Sequence, residues 1–202
     1  MRRKLSLVFA LAFVVVSAGA GEVAGITIDF TNDAPGAKPN GWTSVDSPLV
    51  HFTDSVGAGL MLADWGDQSH GMALGVLDDH DDSELVMHFD IEMVALSLSF
   101  GNDDPGWSNP GDEAVLFVFL GPTQVGQASV VMNRNDLMDQ SISYSGAAFD
   151  RATFKYDVDP QRGLVEIVDD ITLVPIPEPA SLILLGLGLP MLAWRNRRRR
   201  AG

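Results

Sequence analysis

Between Val94 and Phe100 the chain alternates with a period of two. Val94, Leu96, Leu98 and Phe100 fall on one face, and Ala95, Ser97 and Ser99 on the other. This is the pattern of a strand with one buried face. Residues 113–120 are apolar on both faces, Val115, Phe117 and Phe119 against Leu116, Val118 and Leu120, which predicts a central strand. Shorter runs predict strands at 26–30, 49–53, 72–77, 84–90, 125–132, 152–158 and 164–174. Clusters such as Asp33-Ala34-Pro35-Gly36 and Gly101-Asn102-Asp103-Asp104-Pro105-Gly106 separate them and favour turns. No long helix is predicted over 26–174. The pattern predicts an all-β fold, an antiparallel β-sandwich of jelly-roll type.

The two ends follow other rules. Residues 1–20 carry Arg2, Arg3 and Lys4, an apolar run from Leu5 to Val16, and Ala18-Gly19-Ala20. This is the three-part pattern of a secretory signal peptide, with cleavage predicted after Ala20. Residues 21–174 form the sandwich. Residues 175–202 open with Pro177-Glu178-Pro179, where proline cannot continue a ladder. Residues 180–194 then hold no charge, and Arg195, Arg197, Arg198, Arg199 and Arg200 follow. Fifteen helical residues reach about 22 Å, a short transmembrane helix for a hydrocarbon core of about 30 Å. The arginines orient it with the basic end cytoplasmic and the sandwich across the membrane.

The order Pro177-Glu178-Pro179, short apolar helix, arginine cluster resembles the PEP-CTERM sorting signal of bacterial envelope proteins. The resemblance implies that a membrane enzyme, exosortase, processes the chain at Pro177, Glu178 and Pro179. The precursor would sit in the inner membrane, and the mature form at the cell surface or in the extracellular matrix. The three residues would then be a recognition site for another enzyme, with the arginines as the last part of the sorting signal.

Charge narrows the partners further. Residues 21–176 hold 26 acidic residues against 5 basic ones, a formal −21. Such a polyanion repels nucleic acid and anionic lipid and attracts divalent cations. No cysteine is present, which excludes disulfides, thiol catalysis and zinc–thiolate sites.

The middle also resembles carbohydrate-binding-module-like jelly rolls, through Ile28-Asp29-Phe30 in the first strand and Val168-Asp169-Asp170-Ile171 in the last. The resemblance implies adjacent first and last strands holding a structural calcium, with Asp29, Asp169 and Asp170 as candidate ligands. Strand parity points the same way. Ile167, Ile171 and Leu173 share one face, which would turn Asp169 into the core with them. A lone buried carboxylate is too costly, so a bulge, a proton or a cation must relieve it.

Other constellations are weaker. Asp78-Asp79-His80-Asp81-Asp82-Ser83-Glu84 lacks the central glycine of an EF-hand loop and reads as a solvated turn. Trp107 in an acidic loop could stack on a sugar, with Asp103 and Asp104 accepting hydroxyl hydrogens. Trp42 and Trp65 fit packing equally well. His51 and His88 fall in predicted strands, and neither HExxH nor GxSxG occurs. The expectation is a non-enzymatic surface or matrix protein contacting extracellular polysaccharide. A glycan-active enzyme on the same fold and a purely structural matrix component are the alternatives.

Overall fold

The structure is a computed structural model that describes residues 25–57, 59–77, 83–159 and 163–176. The predicted signal peptide at 1–20, the acidic run at 78–82 and the tail from Pro177 onward lie outside the described residues. Among the described residues no helix is long and apolar enough to cross a membrane.

Val23–Ile176 forms one compact unit. Among the described residues eleven strands run in chain order as β1 (Ile26–Ile28), β2 (Gly36–Lys38), β3 (Trp42–Ser44), β4 (Ser47–Asp54), β5 (Leu60–Asp64), β6 (Met72–Val76), β7 (Leu85–Gly101), β8 (Glu113–Leu120), β9 (Thr123–Val131), β10 (Gln140–Asp157) and β11 (Glu166–Pro175), with one 3-10 turn at Gly66–Gln68. Every pair is antiparallel.

The pairings fold the strands into two layers. The front layer runs β3-β4-β7-β10-β8-β9, using residues 85–89 of β7 and 151–157 of β10. The back layer runs β10-β7-β11, using residues 93–101 of β7 and 140–145 of β10. β6, β5 and β2 continue it beside residues 166–168, and β1 beside residues 171–173. β7 and β10 therefore belong to both layers. Register shifts between Ser145 and Phe149, and between Phe149 and Arg151, mark the corner where they bend.

The predicted antiparallel sandwich is the fold, and the differences have local causes. The runs at 84–90 and 94–100 are one strand, because β7 bends through Asp90-Ile91-Glu92 without ending. β10 begins at Gln140, twelve residues before its predicted start, since Gln140-Ser141-Ile142-Ser143-Tyr144-Ser145 pairs with β7 despite its serines.

The core is aromatic where the layers face each other. Phe30, Trp42 and Phe52 cluster with ring centroids 5.7 to 6.1 Å apart. Phe100 meets Phe154 and Tyr156 at 5.8 and 6.0 Å. Each such burial contributes about 2–3 kcal/mol. Gly101 is required because a Cβ there would strike the Gln68 carbonyl of the 3-10 turn. A Cβ at Gly126 would likewise strike the Tyr144 ring.

The last strand corrects the expected parity. Asp170 adopts a left-handed backbone (φ 49), and the register on β7 shifts between Asp169 and Thr172. The bulge swaps faces. Val168 precedes it and Ile171 and Leu173 follow it in the main core, whereas Ile167 joins Ala73 and Met138 in a second, smaller cluster. Asp169 is buried on that second side, away from Ile171 and Leu173. The acid that does face the main core is Glu166, opposite Val76 and 5% exposed.

Candidate functional site

The front layer turns one face to the core and one outward. On β4, Val50 and Phe52 go inward and His51 outward; on β7, Met87 and Phe89 go inward and His88 outward. Register then aligns the outward residues. His51 stands opposite His88, His88 opposite Arg151, and Arg151 opposite Phe119, so the four form one row across β4, β7, β10 and β8. The neighbouring row is Thr53, Val86, Thr153, Phe117 and Gln127.

The row borders a recess of about 320 Å³ lined by His88, Phe89, Gly121, Asp150 and Arg151. That volume falls at the low end of small-ligand sites, about 300–1,000 Å³. Arg151 places its guanidinium 4.1 Å from the Phe119 ring centroid, a cation–π contact. Its Nε is buried with no hydrogen-bond partner, as is the neighbouring Thr153 Oγ1. Asp150 spends both carboxylate oxygens on the Gly121 N–H at 3.0 and 3.1 Å. His51 Nε2 lies 3.1 Å from Asp90. Partial removal from water, then the charge of Arg151, holds the His88 ring below its usual pKa, so it stays neutral at pH 7 and offers both a donor and an acceptor.

A second cluster sits at the β11 bulge. His70 Nδ1 lies 2.7 Å from Asp170 Oδ2, and His70, Asp169 and Asp170 offer ligand atoms all within 4.8 Å of one another. Burial pushes the Asp169 carboxyl up to about 6, although the Asp170 N–H donates to it at 2.7 Å. The hydrogen bond to Asp170 raises His70, against partial burial. Asp29 follows Ile28, which pairs with Ile171, so it stands at the end of the same strand pair. Its carboxylate accepts from the Thr31 N–H at 3.0 Å, which holds its pKa down.

The acidic loop divides its roles. Asp103 is 2% exposed and accepts the N–H groups of Arg134, Asn135 and Asp136, bracing the 134–136 turn. Asp104 accepts the Gly106 N–H at 2.6 Å, and Trp107 stands half-exposed beside it. Trp42 packs in the aromatic cluster, and Trp65 donates Nε1–H to the Ala73 carbonyl at 3.1 Å.

The row of His51, His88, Arg151 and Phe119 escapes sequence reasoning. Each residue sits at an outward position of its strand, and that much is readable. What aligns them is the pairing of β7 with β4 and β10, together with that of β10 with β8, which no local pattern specifies.

Fold and tail together define a class: a β-sandwich carried on a sorting tail. Residues 175–200 match the PEP-CTERM protein-sorting motif, which marks an exported, membrane-anchored precursor. No curated protein matches the chain. Among solved structures, it is similar to a DUF4465 family protein from Bacteroides caccae, at 12% identity and TM-score 0.45, over 75% of this chain and 99% of that one. A family 29 carbohydrate-binding module is similar at 12% identity and TM-score 0.39, over 75% and 89%. A family 32 module from C. perfringens, solved with galactose, is similar at 7% identity and TM-score 0.39, over 69% and 98%.

Proposed function

We propose that this chain is an exported surface or matrix protein, processed by an exosortase-type enzyme, whose sandwich holds extracellular polysaccharide without catalysis. One observation carries the reading. On the outer face of the front layer a recess is lined by His88, Asp150 and Arg151, and the same rows of the sheet bring His51, Phe117 and Phe119 alongside, the mixture of hydrogen-bonding and aromatic groups that a polyhydroxylated ring requires. The alternative, a glycan-active enzyme, needs two carboxylates about 5–10 Å apart across the scissile bond. Here Asp150 is engaged by Gly121 and Asp90 by His51, which favours holding over hydrolysis.

Titrating the purified chain with exopolysaccharide from its own host is expected to give saturable heat and no new reducing ends over a day. Phe119→Ala should weaken binding about tenfold or more, since it removes the platform and the support of Arg151. New reducing ends would make the protein an enzyme, and silence toward every glycan would make it a purely structural matrix component.

A structural cation belongs to the same reading, placed at the β11 bulge. Asp169 and Asp170 are two of the calcium ligands expected above, and His70 adds an imidazole. Calcium favours oxygen donors, so the imidazole widens the choice to zinc-like ions. A ligand bound only to the folded state stabilises by about 2.7 kcal/mol at a hundredfold excess over Kd. Millimolar calcium, or micromolar zinc, should therefore raise Tm above that in chelator, and more than sodium chloride at matched ionic strength. Asp169→Asn should abolish the gain. Equal effects of sodium and both divalent ions would remove the cation.

A further inference from the structure

The domain carries 26 acidic residues against 5 basic ones between positions 21 and 176, so a cation with a buried, unused hydrogen-bond donor is unexpected. Three described cations are indeed engaged by their surroundings. Lys38 lies over the Trp42 ring, Lys155 pairs with Glu84 at 3.3 Å, and Arg134 donates to the carbonyls of Pro105 and Ser108. Arg151 differs. It lies over Phe119, its Nε has no hydrogen-bond partner, and Asp150, which lines the same recess, has both carboxylate oxygens on the Gly121 N–H. A guanidinium held 4.1 Å from an aromatic ring centroid at the wall of a recess is preorganised, and its planar fork matches a carboxylate.

We infer that the recess beside Arg151 receives the carboxylate of a uronic acid residue in the bound polysaccharide. The inference deepens the carbohydrate-binding reading and rests on it. Arg151 supplies the missing charge, neutral His88 bonds a ring hydroxyl, and Phe117 and Phe119 flank the sugar with apolar surface. A domain at −21 repels polyanions at a distance, so selection for an acidic sugar must come from a short-range contact of this kind. It also predicts that short acidic oligomers bind better per residue than long ones.

The test uses the full chain in a sugar-free detergent with chelator, so that calcium cannot bridge two polyanions. The probes are trigalacturonate, its methyl ester, which differs only at the carboxylates, and a panel of neutral oligosaccharides. Trigalacturonate is expected to bind at least about tenfold tighter than its ester. Arg151→Gln should erase that preference, and Arg151→Lys, which keeps the charge without the fork, should restore only part of it. Melting of Arg151→Gln should equal or exceed the wild type, because a buried donor without a partner is removed. Equal binding of acid, ester and neutral sugars would leave the carbohydrate reading standing and overturn the carboxylate site. Failure of every saccharide would overturn both. A large drop in the melting temperature of Arg151→Gln would make Arg151 a structural residue and overturn the inference.

Discussion

Glu166→Gln is expected to change stability little at pH 4 and to raise it by about 3 kcal/mol at pH 9. Glu166 faces the main core, accepts the Tyr156 N–H at 3.3 Å, and is pushed up to about 8, chiefly by burial. The unfolded chain releases this proton near the ordinary value of 4.5, whereas the folded chain holds it until about 8. Folding therefore takes up a proton between those values. The favourable contribution is complete below pH 4.5 and is lost as pH rises through 8. At 1.36 kcal/mol per unit the upper bound is about 5 kcal/mol, and relaxation around the charge reduces it. Glutamine stays neutral and removes the slope. Denaturant unfolding of both proteins at pH 4, 7 and 9 measures this directly. Parallel pH profiles would show that Glu166 does not titrate as its burial requires.

Replacing Pro177-Glu178-Pro179 by three alanines is expected to stop maturation almost completely. The arginine cluster and apolar run would still insert and orient the chain, so the full-length precursor should accumulate in the inner membrane. In a host with an exosortase-type enzyme, the wild type should shorten and leave that membrane during a pulse-chase. Equal maturation of both proteins would show that the tripeptide is not what the enzyme reads. The substitution lies outside Val23–Ile176, so stability of the sandwich should not change.

The strands with strong alternation were legible because burial on one face writes a period of two into the sequence. Residues 94–100 fall within β7 for that reason, whereas 113–120 coincide with β8 because a run apolar on both faces marks a central strand. β2 and β3, at three residues each, are too short to show a period. The parity argument on the last strand called for a bulge, a proton or a cation, and a bulge falls at Asp170, so Ile167 does not share a face with Ile171 and Leu173. A non-glycine residue at φ 49 leaves no local mark, yet it moved Asp169 to the second cluster and left Glu166 as the acid in the main core. The aligned row on the front layer was beyond reach for a different reason. His88 and Arg151 lie 63 positions apart, and only long-range register sets them side by side.

β7 and β10 also decide how the sandwich carries load. A tug on the tail enters at Pro175 and runs along β11, whose ladder to β7 extends from Ile167 to Pro175. Force parallel to a strand strains such a ladder in shear, sharing tension among its bonds instead of unzipping them singly. Because β7 continues into the front layer, that tension reaches the strand bearing His88 through covalent backbone. A polymer gripped on the outer face and an anchor at the C-terminus would thus be joined through one sheared ladder and one continuous strand, with the two layers wrapped around them.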